Sequence, residues 1–219
     1  MAHGAPEPVA ALDRVRLVEN NEPLVDLRVA CPLLVVMARA RPYVRRRVAQ
    51  MLNVVPPRLP DGLRLRVTTA LRTIDDQRRH WDGFYARMKT EHPDWPSSAL
   101  HRATNRFFAP YDHSAPPGHC TGGAVDVQLI DAGGAPLDMT SPMVGWAAAP
   151  TWIETISPTA KANRMLMVQA MLGAGFSNCR DEYWHYSYGD SAWAVRVGSL
   201  ECSYGLVKPP PCRRRDEQC

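Results

Sequence analysis

The 219-residue chain lacks any apolar run long enough to cross a bilayer. Its longest, Cys31 to Ala38, falls far short of the roughly 20 residues a spanning helix needs. Met1 to Pro8 lacks the basic start and apolar core of a secretory signal. A cytoplasmic protein with no membrane partner is expected. Cys-x-x-Cys pairs are also missing, and a chain of this length builds its core without disulfide staples, so the six scattered cysteines are read as free thiols. There is no internal repeat and no long biased tract, which excludes fibrous and disordered classes. The net charge of +4 gathers in Arg45–Arg47, Arg78–Arg79 and Arg213–Arg215. These clusters have no interleaved aromatic platform, so they read as solvated faces and a polar tail, and no nucleic-acid partner is expected. Nothing in the pattern fixes an oligomeric state.

What is present points to one globular domain. Residues 1–23, with early prolines and little periodicity, read as a loose lead-in to an extended segment around Leu24–Val29. From Pro42 to Leu52 the apolar spacing predicts a helix, stopped by Pro56-Pro57. Leu63 to Arg72 alternates apolar and polar residues as a strand does. Helices follow at Asp75–Glu91 and at Ser97–Phe108, the latter capped by Ser97 or Ser98. Residues 109–123 are a Pro- and Gly-rich loop, and Ala124–Ile130 is an apolar strand. Pro158–Leu172 reads as a helix capped by Ser157, and Tyr183–Tyr188 as a last strand. The elements do not repeat as parallel crossovers, so the expected fold is α+β: a small, mostly antiparallel sheet with helices packed on one side, over residues 24–207. Residues 208–219 are expected to be a disordered tail.

Two loop-to-strand boundaries hold a high density of ligand-type residues: Gly118-His119-Cys120-Thr121-Gly122-Gly123-Ala124-Val125-Asp126 and Asp181-Glu182-Tyr183-Trp184-His185-Tyr186. Catalytic zinc commonly takes three protein ligands, imidazoles and carboxylates, and keeps a fourth position for water. His119, Asp126 and His185 meet that demand. Taken singly, each histidine reads as a satisfied structural residue; Asp126 in an apolar strand is the telling one, because a buried carboxylate is costly unless a cation or donors meet it. Cys120 is set aside as a fourth ligand, since neighbouring side chains point apart and a closed site leaves Glu182 without a task. Glu182 and His185 would face opposite sides of a regular strand, so Glu182 is placed in the loop before it, near the metal's water.

His119-Cys-Thr-Gly122-Gly-Ala124-Val-Asp126 and Glu182-Tyr-Trp184-His185 resemble the paired motifs of the bacterial D-alanyl-D-alanine dipeptidases, a family of zinc peptidases. The resemblance spans roughly residues 40 to 195 and includes Asn105 to Ala109 and Ser187 to Asp190. It implies that 24–207 is a zinc peptidase domain, that Zn²⁺ is held by His119, Asp126 and His185, and that Glu182 is the general base and later acid. It further implies that Arg72 stabilises the oxyanion and that the partner is a small peptide, a D-Ala-D-Ala-type dipeptide. Pro117 and Cys120 stand where the family often has serine, and Val144 where members often carry an aspartate that pairs with the substrate's amino group. The alternatives are a D,D- or L,D-carboxypeptidase acting on peptidoglycan stem peptides, and a zinc-bound domain that binds peptide without turnover.

Overall fold

The computed structural model describes residues 7–210, so the expected lead-in and tail fall partly outside it, at 1–6 and 211–219, and the arginines at 213–215 lie there too. The first half of the chain runs α1 (Val9–Leu12), β1 (Arg16–Leu17), β2 (Leu24–Asp26), α2 (Leu27–Ala30), β3 (Val35–Val36), β4 (Tyr43–Arg45), α3 (Arg46–Leu52), β5 (Arg64–Thr69) and α4 (Ile74–Glu91). It continues with α5 (Ser97–Asn105), α6 (Gly118–Thr121), β6 (Ala124–Ile130), α7 (Pro158–Gly173), β7 (Ser177–Asn178), β8 (His185–Ser187), α8 (Ser191–Val197) and β9 (Glu201–Cys202).

The central sheet has the order β3-β5-β6-β8-β7 and is antiparallel except for β3–β5, which makes it mixed. Two further pairs, β1–β9 parallel and β2–β4 antiparallel, stand apart from it. The α+β class is as expected. Strand alternation divides β6 into two faces. Val125, Val127 and Leu129 point into one core with Val48, Met51 and Leu52 of α3 and Met167, Val168 and Met171 of α7. Each such aliphatic side chain contributes about 1.5–3 kcal/mol when fully buried. Ala124, Asp126 and Gln128 take the opposite face. Packing on one side therefore holds β6 rigid and fixes the direction of the side chains on the other.

Several elements differ from the periodicity reading. Residues 43–45 are a strand, because they pair with Leu24–Asp26, and only Arg46–Leu52 is helical. Beyond Asp26, whose side chain accepts from Arg28 N, the expected extended segment turns into α2. Strand β5 stops at Thr69, with a register shift between Val67 and Thr69, and Leu71 makes only an isolated bridge to Arg41. Helix α5 is preceded by Pro96 with no side-chain cap, so neither serine serves. Ser157 does cap α7, accepting from Ala160 N, and Thr73 with Asp76 forms a capping box on α4.

The segment read as loose carries α1 and β1, and the latter is fixed by its pairing with Glu201–Cys202. Nor is the Arg45–Arg47 cluster wholly a solvated face. Arg45 is buried, bonding the carbonyls of Thr121, Glu22 and Gly205 and pairing with Glu19. Cys31, Cys120, Cys179 and Cys202 are free thiols. No helix among the described residues is long and apolar enough to cross a membrane.

Arg164 on α7 organises the long connection from 139 to 150. Its side chain is buried and donates to the carbonyls of Met139, Ala148 and Pro150, at 2.5, 2.5 and 2.7 Å, while its guanidinium lies 4.1 Å from the centre of the Tyr183 ring. Burial lowers the pKa of this guanidinium, although it stays charged. Removing it strands buried acceptors, each worth about 1–3 kcal/mol. Arg164→Ala is therefore expected to destabilise the fold by about 3 kcal/mol or more, read from urea denaturation midpoints.

Candidate metal and active site

Asp126 reaches the site because β6 places it on the face away from the α7 core, and β8 brings His185 opposite it in antiparallel register. His119 comes from α6, a single helical turn inside the stretch read as loop. The glycines after it make that turn possible. Gly122 has φ +73° and caps the turn, and its carbonyl accepts from Arg45 N at 2.9 Å. A side chain on Gly123 would meet the Tyr188 carbonyl at 2.7 Å.

The three side chains converge. One ligand-type atom from each of His119, Asp126 and His185 lies within 4.8 Å of the others. Asp126 Oδ1 is 3.2 Å from His119 Nε2 and 3.0 Å from His185 Nδ1. His119 Nδ1 lies 2.9 Å from the Ala70 carbonyl, a contact that places a proton on Nδ1 and leaves Nε2 with its lone pair toward Asp126. Burial lowers the His119 pKa and favours the neutral ring, despite the opposing pull of Asp126. The result is a buried carboxylate oxygen facing an imidazole lone pair. This donor set fits a divalent cation, which supplies the missing positive charge.

Glu182 stands beside the triad rather than in it. The chain turns through Tyr183 and Trp184, with His185 N donating to the Glu182 carbonyl at 3.2 Å, so β8 begins only at His185 and not at Tyr183. The turn brings the Glu182 carboxyl to 4.0 Å from His185 Nδ1. Burial, and secondarily the charge of Asp126, push its pKa well above the ordinary carboxylate value. Asn178 braces this turn: its buried amide donates to the carbonyls of His185 (3.0 Å), Glu182 (3.4 Å) and Tyr183 (3.5 Å), and its own oxygen accepts from Thr151 at 2.9 Å.

Arg72 is likewise held from several directions. Its backbone N donates to the His119 carbonyl at 3.1 Å, and its guanidinium lies 3.5 Å from Asp126 Oδ2 and 3.3 Å from Gln77 Oε1. Gln77 is buried and donates in turn to the Ala109 carbonyl at 2.8 Å. Sequence reasoning missed both amides. Gln77 had a signal, a polar side chain four residues before Trp81 on the apolar face of α4. Asn178, in a strand of two residues, had none.

The site opens into a cleft of about 1280 Å³, walled in part by Phe107, Trp146 and Trp184. Trp184 lines it, whereas Tyr186 is buried in the core. Cys120 is fully buried, with burial pushing its thiol pKa up to about 12. Pro117 precedes α6, and Val144 is 81% exposed before a short 3-10 turn at Gly145–Ala148.

Residues 74–202, more than half of the chain, match the peptidase family described as D-ala-D-ala dipeptidase. The chain belongs to this family. The matched segment contains His119, Asp126, Glu182 and His185; Arg72 lies just before it. Among curated dipeptidases, the D-alanyl-D-alanine dipeptidase of Synechocystis sp. is 29% identical over 126 residues, covering 52% of this chain and 50% of that protein. The chain thus spans about half the length of the curated relative it matches. Two solved structures share the fold at 16% identity. A mutant of the vancomycin resistance D,D-pentapeptidase VanY in complex with Zn(II) gives a TM-score of 0.50, covering 86% of this chain and 90% of that one. VanYB in complex with D-alanine-D-alanine gives 0.51, covering 87% and 95%.

The raised pKa of Glu182 fixes the sign of a pH effect in the metal-free protein. The folded state binds this proton more tightly than the unfolded chain, so the contribution of Glu182 to stability falls as pH rises from about 4.5 toward its folded pKa. Glu182→Gln is expected to flatten that decline, measured as melting temperature against pH in the presence of chelator. Calorimetric titration of the wild type with Zn²⁺ should show one site, and Asp126→Ala should lose it.

Proposed function

We propose that the protein is a zinc-dependent peptidase that hydrolyses a D-Ala-D-Ala-type peptide bond. The observation that carries this reading is the lone-pair-rich cluster of His119, Asp126 and His185, with the carboxyl of Glu182 beside it and the guanidinium of Arg72 held against it. Family membership and the D-alanyl-D-alanine named for its relatives support the choice of bond.

His119 Nε2, His185 Nδ1 and the Asp126 carboxylate would hold Zn²⁺, with the Ala70 carbonyl fixing the His119 tautomer. The ion, when bound, polarises the scissile carbonyl and lowers the pKa of a bound water from 15.7 toward about 7. Glu182 takes the proton of the attacking water and later delivers it to the leaving amine. Its buried setting suits that exchange, because burial raises its proton affinity above that of an ordinary carboxylate. Asn178 holds the Glu182 turn, so the base does not swing away from the cluster. Arg72, permanently charged and oriented by Gln77, donates toward the carbonyl oxygen as negative charge develops there.

The test is release of free D-alanine from D-Ala-D-Ala. Chelation is expected to abolish it and Zn²⁺ to restore it. Glu182→Gln should lower kcat about 10²- to 10⁴-fold, and Arg72→Ala about 10²- to 10³-fold. Turnover that survives either chelation or loss of Glu182 would overturn the mechanism. Zn²⁺ binding with peptide affinity but no turnover in the wild type would favour a non-catalytic binding domain.

A further inference from the structure

The cleft is larger than its reacting centre requires. It encloses about 1280 Å³, whereas roughly 300–1000 Å³ accommodates a drug-sized ligand, and a dipeptide of two alanines is smaller than that. Part of the excess is bounded by the N-terminal segment, where Pro8, Val9 and Leu12 line the cleft that also holds Cys179 and Glu182.

This segment is tied down on both sides of α1. Glu7 accepts two bonds from Arg196, Nε to Oε1 at 2.7 Å and Nη2 to Oε2 at 2.8 Å. Arg196 is itself buried and donates to Ser177 Oγ at 3.2 Å and Ser187 Oγ at 3.0 Å, which anchors Glu7 to β7 and to the strand that begins with His185. On the other side of α1, the Asp13 carboxylate accepts from Ala115 N at 3.0 Å and lies 3.0 Å from His113 Nδ1, on the loop that leads into His119. Both carboxylates are committed to these contacts. What the segment offers the cleft between them is aliphatic surface, and that surface comes from outside the 74–202 stretch shared with the family.

We propose that Pro8, Val9 and Leu12 form a subsite for an uncharged aliphatic extension of the peptide, so that the preferred substrate is longer than the dipeptide at the scissile bond. The proposal rests on the peptidase reading above and names a substrate class for the same cleft.

Turnover and calorimetric binding are measured with D-Ala-D-Ala and with two versions of it, one extended by two alanines at the amino end and one at the carboxyl end. The intact chain is compared with Val9→Ala/Leu12→Ala, which empties the subsite, and with Leu12→Trp, which fills it. Both variants are expected to lower kcat/KM for the better extended peptide, relative to the dipeptide, on the order of tenfold, as small apolar pocket changes do. Its relative affinity should fall in parallel. An extended-to-dipeptide ratio that stays the same or rises in variants that melt like the wild type overturns the subsite. If the intact chain turns over no peptide, the catalytic reading fails instead, and the affinity ratio alone decides the subsite.

Discussion

The carboxylate of Asp126 sits on an inner strand, beside two imidazole nitrogens and away from water, and the rest of the site follows from that one costly placement. A buried anion is stable only where positive charge or donors meet it. Here His119 commits its Nδ1 proton to the Ala70 carbonyl, and the guanidinium of Arg72 stands at 3.5 Å, longer than a close ion pair. The compensation built into the fold is thus partial, in the manner of a site shaped to receive a cation.

Everything that fixes this arrangement lies just outside it. The α3 and α7 core clamps one face of β6, which makes the orientation of Asp126 a consequence of apolar packing on the other face. The turn that presents Glu182 is braced by Asn178 and Thr151, and the turn that presents His119 closes over glycines where a side chain would collide with Leu24 or with the Tyr188 carbonyl. Arg164 links the two regions: it gathers the carbonyls of the 139–150 connection, which carries the cleft residue Trp146, and packs on Tyr183 within the Glu182 turn. Chemistry at the centre is therefore coupled to stability through ordinary hydrogen-bond satisfaction.

Elements with a strong internal pattern were legible in the chain. Helices α4 and α7 and strand β6 carry their periodicity and stop signals within themselves, and their observed limits lie within a residue of those expected. The short elements behave differently. β1, β7 and β9 are two residues each and exist because distant segments supply their hydrogen-bond partners. Tyr43–Arg45 satisfies a helical apolar spacing and a strand equally well, and pairing with Leu24–Asp26 decides between them.

The sequence by itself singled out the candidate residues: two motifs whose histidines, aspartate and glutamate have a joint meaning that none has alone. Those motifs also carried the resemblance to the family, which the match over residues 74–202 bears out. Only the tertiary structure decided how the pieces are held. The buried amides of Gln77 and Asn178, the Arg164 clamp and the N-terminal wall of the cleft each act through partners that are distant or unpatterned in sequence. Their roles depend on which carbonyls and carboxylates folding brings within about 3 Å, and no local pattern in the chain encodes that proximity.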